Sequence, residues 1–252
     1  MTTDGPLAAD HAVPALELEA VEKRFGRSTV LAGVSLSVRT GESFALAGLN
    51  GASKTTLIKC LLDFCATDGG RIRVFGVDHG LTASRARIAF LPERFMPPYY
   101  LTGRDFLRYM LKLQGVAYRE SEAEEMLRSL DLELSALIKP VRAFSKGMTQ
   151  KLGLAACFLA AKDLYILDEP TSGLDPRARA LLKQRLRGLR ERGHSVFFTS
   201  HSLADVEEIS DRLAVIDRGR LRFCGTPGAL RAQRGGTLEE AFLACLGSAD
   251  RT

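Results

Sequence analysis

Ser43-Phe44-Ala45-Leu46-Ala47-Gly48-Leu49-Asn50-Gly51-Ala52-Ser53-Lys54-Thr55-Thr56-Leu57-Ile58-Lys59-Cys60-Leu61-Leu62-Asp63-Phe64 is the stretch that decides the fold. A short apolar run over 43–49 leads into a glycine-containing loop. An apolar-periodic segment follows over 55–64. That order predicts a buried strand, a loop and a helix. Backbone N–H groups in such a loop wrap an anion, and the helix N-terminus adds partial positive charge. The pattern G-x-x-x-x-G-K-[ST] is met by Gly48, Lys54 and Thr55, with Ser53 where the second glycine belongs. If that position required a positive φ, serine would cost about 1–2 kcal/mol. Micromolar nucleotide binding supplies about 8 kcal/mol, so binding would weaken about tenfold and survive.

Outward from the loop, 15–23 and 34–42 alternate apolar and polar residues and read as half-buried antiparallel strands. The runs 71–76 and 87–91 are further strands. From about 94 to 160 no strand pattern appears, and helical runs take over. Thr102-Gly103-Arg104-Asp105 opens the first of these as a T-x-x-D cap. Apolar strands return at 164–168, 195–199 and 212–217, separated by helical stretches. The alternation predicts an α/β fold: a mixed or parallel core sheet, an N-terminal antiparallel β subdomain and an inserted helical subdomain. Residues 1–14 read as a loose tail and 15–252 as one domain.

The bulk numbers narrow the classes. With 46% hydrophobic and 26% charged residues in 252, the chain suits a folded α/β unit. Five scattered cysteines without a C-x-x-C argue against a disulfide framework or a zinc site and fit a reducing cytoplasm. The N-terminus lacks the apolar centre of a secretory signal. The longest apolar run, 152–161, falls short of the ~18 residues of a membrane span and reads as a buried helix. Lys183–Arg192 is the most basic segment and reads as a solvated helix face, so no nucleic-acid partner is expected.

Lys54 is expected to neutralise β- and γ-phosphate oxygens, and Thr55 to ligate Mg²⁺. Leu164–Glu169 is an apolar strand ending in two carboxylates, where parallel sheets gather ligand chemistry. Asp168 is placed to hold the metal, and Glu169 to orient and deprotonate water. His201 again follows an apolar strand.

Taken in order, the phosphate loop at 48–55, I-A-F-L-P-E at 88–93, F-S-K-G-M at 144–148, I-L-D-E-P at 166–170, S-G-L-D at 172–175 and T-S-H at 199–201 resemble the ATP-binding subunit of ABC transporters. The resemblance runs from about 16 to 245. It implies ATP held by Gly48, Leu49, Asn50, Gly51, Ala52, Ser53, Lys54, Thr55 and Thr56, with Phe25 stacking on adenine. Mg²⁺ would sit on Thr55, Asp168 and Glu93. Glu169 would be the catalytic base, assisted by Lys54 and by His201 on the γ-phosphate. Ser145, Lys146, Gly147 and Met148 would act on the ATP of a second subunit, and Asp175 would join the two sites across a homodimer or heterodimer. The partner implied is a separate membrane permease on whose cytoplasmic face the chain docks, most similar to exporters. Alternatives are a soluble ATPase of this type acting on ribosomes or DNA, and a partner subunit impaired in hydrolysis. Three departures from the family pattern stand out. Ser53 replaces glycine, Lys146 and Met148 alter the signature, and Glu93 replaces the usual glutamine with another hard-cation ligand.

Overall fold

The computed structural model describes residues 13–49 and 53–247. Two sheets carry the architecture. β1 (Leu16–Phe25) pairs antiparallel with β2 (Ser28–Val38) and with β4 (Gly69–Val74), which in turn pairs with the short β5 (Val77–Asp78). The second sheet has the order β10-β9-β3-β8-β7-β6, formed by β3 (Ser43–Ala47), β6 (Ile88–Leu91), β7 (Leu164–Leu167), β8 (Ser195–Thr199), β9 (Arg212–Asp217) and β10 (Arg220–Gly225). All neighbours there are parallel except β9 and β10.

Side-chain pattern explains the division. Every residue of β3, β7 and β8 is buried, as a strand covered on both faces requires. β1 instead mixes buried and exposed positions, as an antiparallel strand with one wet face does. One core joins the two sheets with α1 (Ser53–Leu61), and Phe44 stacks on Phe197 there with ring centroids 6.1 Å apart. The other core lies on the opposite face of the larger sheet. It also takes in α3 (Gly103–Leu113), α4 (Glu120–Ser129), α5 (Lys146–Leu159), α6 (Pro176–Glu191) and α7 (Leu203–Ile209), the one-turn α2 (Thr82–Arg85) lying apart from it. Two C-terminal helices, α8 (Pro227–Arg234) and α9 (Leu238–Gly247), close the chain.

The sequence boundaries held best where a cap or glycine marks them. Thr102 caps α3, accepting from Asp105 N–H at 3.2 Å and donating to its carboxylate at 2.6 Å. Among the described residues, 92–163 contains no strand, only an isolated Thr102–Pro140 bridge. The apolar run at 152–161 lies mostly in α5, whose residues 150–158 are buried. One strand was misplaced. The segment expected at 34–42 is the end of β2, which begins at Ser28, and the chain turns at 39–42, where Gly41 has φ +77°. Arg39 N–H donates to the Glu42 carboxylate at 2.7 Å and locks that turn. The basic stretch 183–192 forms a largely solvated helix face, several of whose cations are paired. Lys183 lies 2.7 Å from Asp205 and 2.6 Å from Glu208, Arg187 lies 2.6 Å from Glu208, and Arg190 lies 2.9 Å from Asp211.

The tail expected over 1–14 falls outside the described residues except for Val13 and Pro14. Val13 is tied by its carbonyl to the Thr40 hydroxyl at 2.8 Å.

Candidate functional site

The carboxyl ends of β3, β7 and β8 lie side by side, and the residues that follow them meet. Lys54, Thr55, Glu93, Asp168, Glu169, Ser172 and His201 line one cleft of about 430 Å³. Residues drawn from α1, from the segment after β6 and from those after β7 and β8 thus share one space, because the parallel register aligns the strand ends.

Lys54 is 7% exposed and donates to the carbonyls of Gly48 at 2.7 Å and Leu49 at 3.2 Å. Burial pulls its ammonium below the usual lysine range, while Glu169, Asp168 and Glu93 pull it back up. Gly48 is held by close packing, since a Cβ there would come within 2.5 Å of the Ile216 carbonyl oxygen. Asn50, Gly51 and Ala52 lie outside the described residues. Ser53 opens α1 and is not among the residues with positive φ, so the penalty weighed for it does not arise. Its hydroxyl donates to the Val30 carbonyl at 3.4 Å.

Asp168 is 4% exposed, and burial pushes its carboxyl up from the usual range. A hydrogen bond from the Thr199 hydroxyl, at 2.5 Å, works against that, while the neighbouring Glu93 and Glu169 charges add to it. Glu169 has φ +51°, a conformation that costs a non-glycine residue about 1–2 kcal/mol. It is held there from two sides. Its N–H donates to Thr199 Oγ1 at 2.9 Å, and its Oε2 accepts from His201 N–H at 3.3 Å and from Nδ1 at 2.7 Å. The donor role of Nδ1 is fixed by its carboxylate partner.

Thr199 was quoted within T-S-H, but only the histidine was given a role. One threonine hydroxyl bridges both acids, donating to one and accepting from the other's backbone. A polar residue closing an otherwise apolar strand was the signal. Using it required knowing that β8 lies beside β7, which composition and periodicity do not give.

The remaining expected residues lie elsewhere. Phe25 ends β1, is 53% exposed, carries the Lys23 ammonium 5.3 Å from its ring centroid, and does not line the cleft. Ser145 caps α5, accepting from Met148 N–H at 3.1 Å, which engages one of the first amides of that helix and leaves those of Lys146 and Gly147 without a partner inside the helix, as at any helix N-terminus. Lys146 turns toward its own chain, 3.4 Å from the Ser172 hydroxyl. Met148 packs against the core, and a Cβ on Gly147 would stand 3.0 Å from Gly173 O. Asp175 caps α6 through Ala178 N–H at 2.9 Å and faces Lys151 at 3.6 Å. The Ala178 amide holds its carboxyl below the usual range against the opposing effect of burial, with Lys151 adding a smaller pull downward.

The donor set suits a triphosphate with a divalent ion. A buried lysine satisfied only by carbonyls suits phosphate oxygens, and a buried carboxyl with raised pKa suits a cation that would keep it ionised. Among the described residues no cluster of three or more His, Cys, Asp or Glu could hold a metal alone. Mg²⁺ arriving with a nucleotide needs only one or two protein oxygens, because phosphates and water supply the rest. Thr55, Asp168 and Glu93 line the cleft and could supply those oxygens.

The comparisons with known proteins agree with this chemistry. Residues 31–172 match the family model described as ABC transporter. An uncharacterized ABC transporter ATP-binding protein of Synechocystis is 39% identical over 197 residues, covering 77% of this chain, which spans 55% of that relative's length. The Nod factor export ATP-binding protein I of Paraburkholderia xenovorans is 37% identical over 222 residues, 86% of this chain and 73% of its own. A solved structure of the ATP-binding subunit of an ABC transporter superposes with a TM-score of 0.84 at 32% identity, over 92% of this chain and 99% of the other.

Proposed function

The chain belongs to the ABC transporter family as an ATP-binding subunit and an ATPase that powers transport, and on that premise we propose that it works as a dimer on a separate export permease, with Glu169 as its general base. The single observation carrying the proposal is the meeting of Lys54, Asp168, Glu169 and His201 around one cleft.

Each group then has a task. Lys54 exchanges the Gly48 and Leu49 carbonyls for β- and γ-phosphate oxygens, which restores the charged form that burial disfavours. Thr55, Asp168 and Glu93 would hold Mg²⁺, which would supply positive charge against the phosphate oxygens. Glu169 accepts a proton from the attacking water. His201 fixes the Glu169 carboxylate through Nδ1, and its other ring nitrogen would serve the γ-phosphate only as an N–H donor, with both nitrogens carrying hydrogen. Thr199 keeps Asp168 and Glu169 in register.

The open amides at the start of α5, with Ser145 and Gly147, suit the γ-phosphate of a nucleotide bound to a second subunit. That phosphate is the differential ligand. It touches both halves only in the closed dimer, so its loss shifts the population toward opening. The permease end of this motion is assigned to the surface beyond Glu93. A groove of about 640 Å³ there is lined in part by Phe95, Met96 and Pro97, and it shares Glu93 and Ser172 with the catalytic cleft. Among the described residues no helix is long and apolar enough to cross a membrane. In this reading the chain docks on the cytoplasmic face of the permease.

Phosphate release by the purified protein, with Glu169→Gln beside it, tests the proposal. The variant is expected to lose about 10²–10⁴-fold in rate and to accumulate as an ATP-dependent dimer. Equal rates for the two proteins in the presence of the permease would refute it.

A further inference from the structure

We infer that Gln150 is a positioning residue for the hydrolytic glutamate, acting through the carbonyl of Pro170. The inference rests on the function proposed above. Gln150 lies in α5, is 5% exposed, and donates from Nε2 to Pro170 O at 3.2 Å. Pro170 has no N–H, so this carbonyl is its sole backbone polar group. It also directly follows Glu169, whose φ of +51° persists only where neighbours hold it.

The anchors fall on opposite sides of that strained residue. On the strand side, Glu169 N–H is bound to Thr199, and its side chain to His201. On the helix side, Gln150 takes the carbonyl that follows, while Ser172 N–H returns to Glu169 O at 3.0 Å and closes the turn. Without the Gln150 donor, the carbonyl is left buried and unpaired. The Pro170–Thr171 peptide is then free to rotate in search of a partner, which loosens the turn that Ser172 N–H closes on Glu169 O and with it the hold on the Glu169 backbone.

Two neighbours of Gln150 on α5 meet the rest of this loop, Lys146 one turn earlier and Lys151 next in sequence. Lys146 lies 3.4 Å from Ser172 Oγ, and Lys151 lies 3.6 Å from Asp175. Those contacts are on the exposed end of the loop. Gln150 differs in reaching a buried partner, the carbonyl directly after the strained residue.

The test uses Gln150→Met, which keeps the length and removes the donor. Expected are a fall in kcat of about tenfold with KM for ATP within about twofold, as misplacement of a reacting group without loss of binding requires. Introduced into Glu169→Gln, the same change should alter the residual rate by less than about twofold, because its effect runs through Glu169. Hydrogen exchange at the amides of Thr171, Ser172 and Leu174 should quicken in the nucleotide-free variant. An unchanged kcat, an equal loss in both backgrounds, or unchanged exchange at those amides overturns the inference. Gln150→Glu, similar in size and without a donor when ionised, serves if the methionine variant does not fold. Because exchange is read without turnover, it separates failure of this inference from failure of the proposed function. The latter would show as wild-type hydrolysis indifferent to Glu169.

Discussion

Thr199 Oγ1 stands 2.5 Å from Asp168 Oδ1 and accepts the N–H of the next residue, Glu169, at 2.9 Å. One hydroxyl hydrogen and one lone pair therefore set the spacing of two acids with different tasks, one toward a cation and one toward water. Thr199→Val preserves shape and removes both bonds. Asp168, whose carboxyl is already pushed up by burial, loses the hydrogen bond that favours its charged form and should bind Mg²⁺ less well. A fall in kcat of about tenfold or more is expected, with a rise in the Mg²⁺ concentration for half-maximal rate, read from steady-state hydrolysis across a metal titration. A normal metal dependence would show that Thr199 is only a core residue.

His201 offers a cleaner separation of activity from stability. Its side chain is 66% exposed while its Nδ1 lies 2.7 Å from Glu169. His201→Ala should therefore shift the melting temperature by no more than about 1–2 °C, as surface changes usually do. Turnover should fall about 10²-fold or more. Calorimetry and phosphate release on the same preparation decide the matter, and a large loss of both together would contradict the assignment.

Asp168 also makes a pH-dependent prediction whose sign follows from linkage. Its folded-state pKa is raised above the ordinary value of 3.8, chiefly by burial. The folded state therefore holds this proton more tightly than the unfolded chain, and ionisation costs stability once the pH rises above both values. Asp168→Asn removes that cost. The nucleotide-free variant should melt above the wild type near neutral pH. It should be nearly inactive. The advantage should shrink as the pH falls through the raised pKa and disappear below 3.8. A variant no more stable than the wild type at pH 7 would mean that the cleft solvates this carboxylate well.

Tyr99 and Tyr100 are 67% and 68% exposed, with rings at right angles 5.6 Å apart, shortly after the groove residues Phe95–Pro97. Replacing both by alanine disturbs no buried packing. If the permease docks here, transport in vesicles should fall while basal hydrolysis by the isolated subunit stays near normal. Parallel loss of transport and basal hydrolysis would speak against a docking role.

What the sequence disclosed depended on how local the determinant was. β3, β7 and β8 were readable because a strand buried on both faces has to be apolar throughout. α3 was readable because Thr102 and Asp105 announce its start. β10, Arg220–Gly225, was not, since its polar–apolar alternation runs for only four residues, Arg220 to Phe223, and none of its residues is fully buried. The convergence of Lys54, Asp168, Glu169 and His201 was inferred from motif order and is matched by the cleft they line. The supports around them were hidden. Thr199 bonds across 31 residues to Asp168, and Gln150 bonds across 20 to Pro170. Both links depend on strand order and helix placement, which no short spacing encodes.

Ser53 is where local reasoning and structure part most usefully. A serine in a slot usually given to glycine suggests a strained loop, and strain of about 1–2 kcal/mol would weaken nucleotide binding about tenfold. Yet Ser53 is the first residue of α1, outside the positive-φ region, and its hydroxyl reaches the Val30 carbonyl at 3.4 Å across to β2. Serine is at home in the first turn of a helix, and glycine there loses more backbone entropy on folding. Ser53→Gly should therefore leave the Kd for ATP within about twofold, or loosen it slightly. Fluorescent-nucleotide titration of the two proteins side by side measures this directly. A tenfold gain in affinity would reveal strain at this position, and with it a loop held in a shape that serine resists.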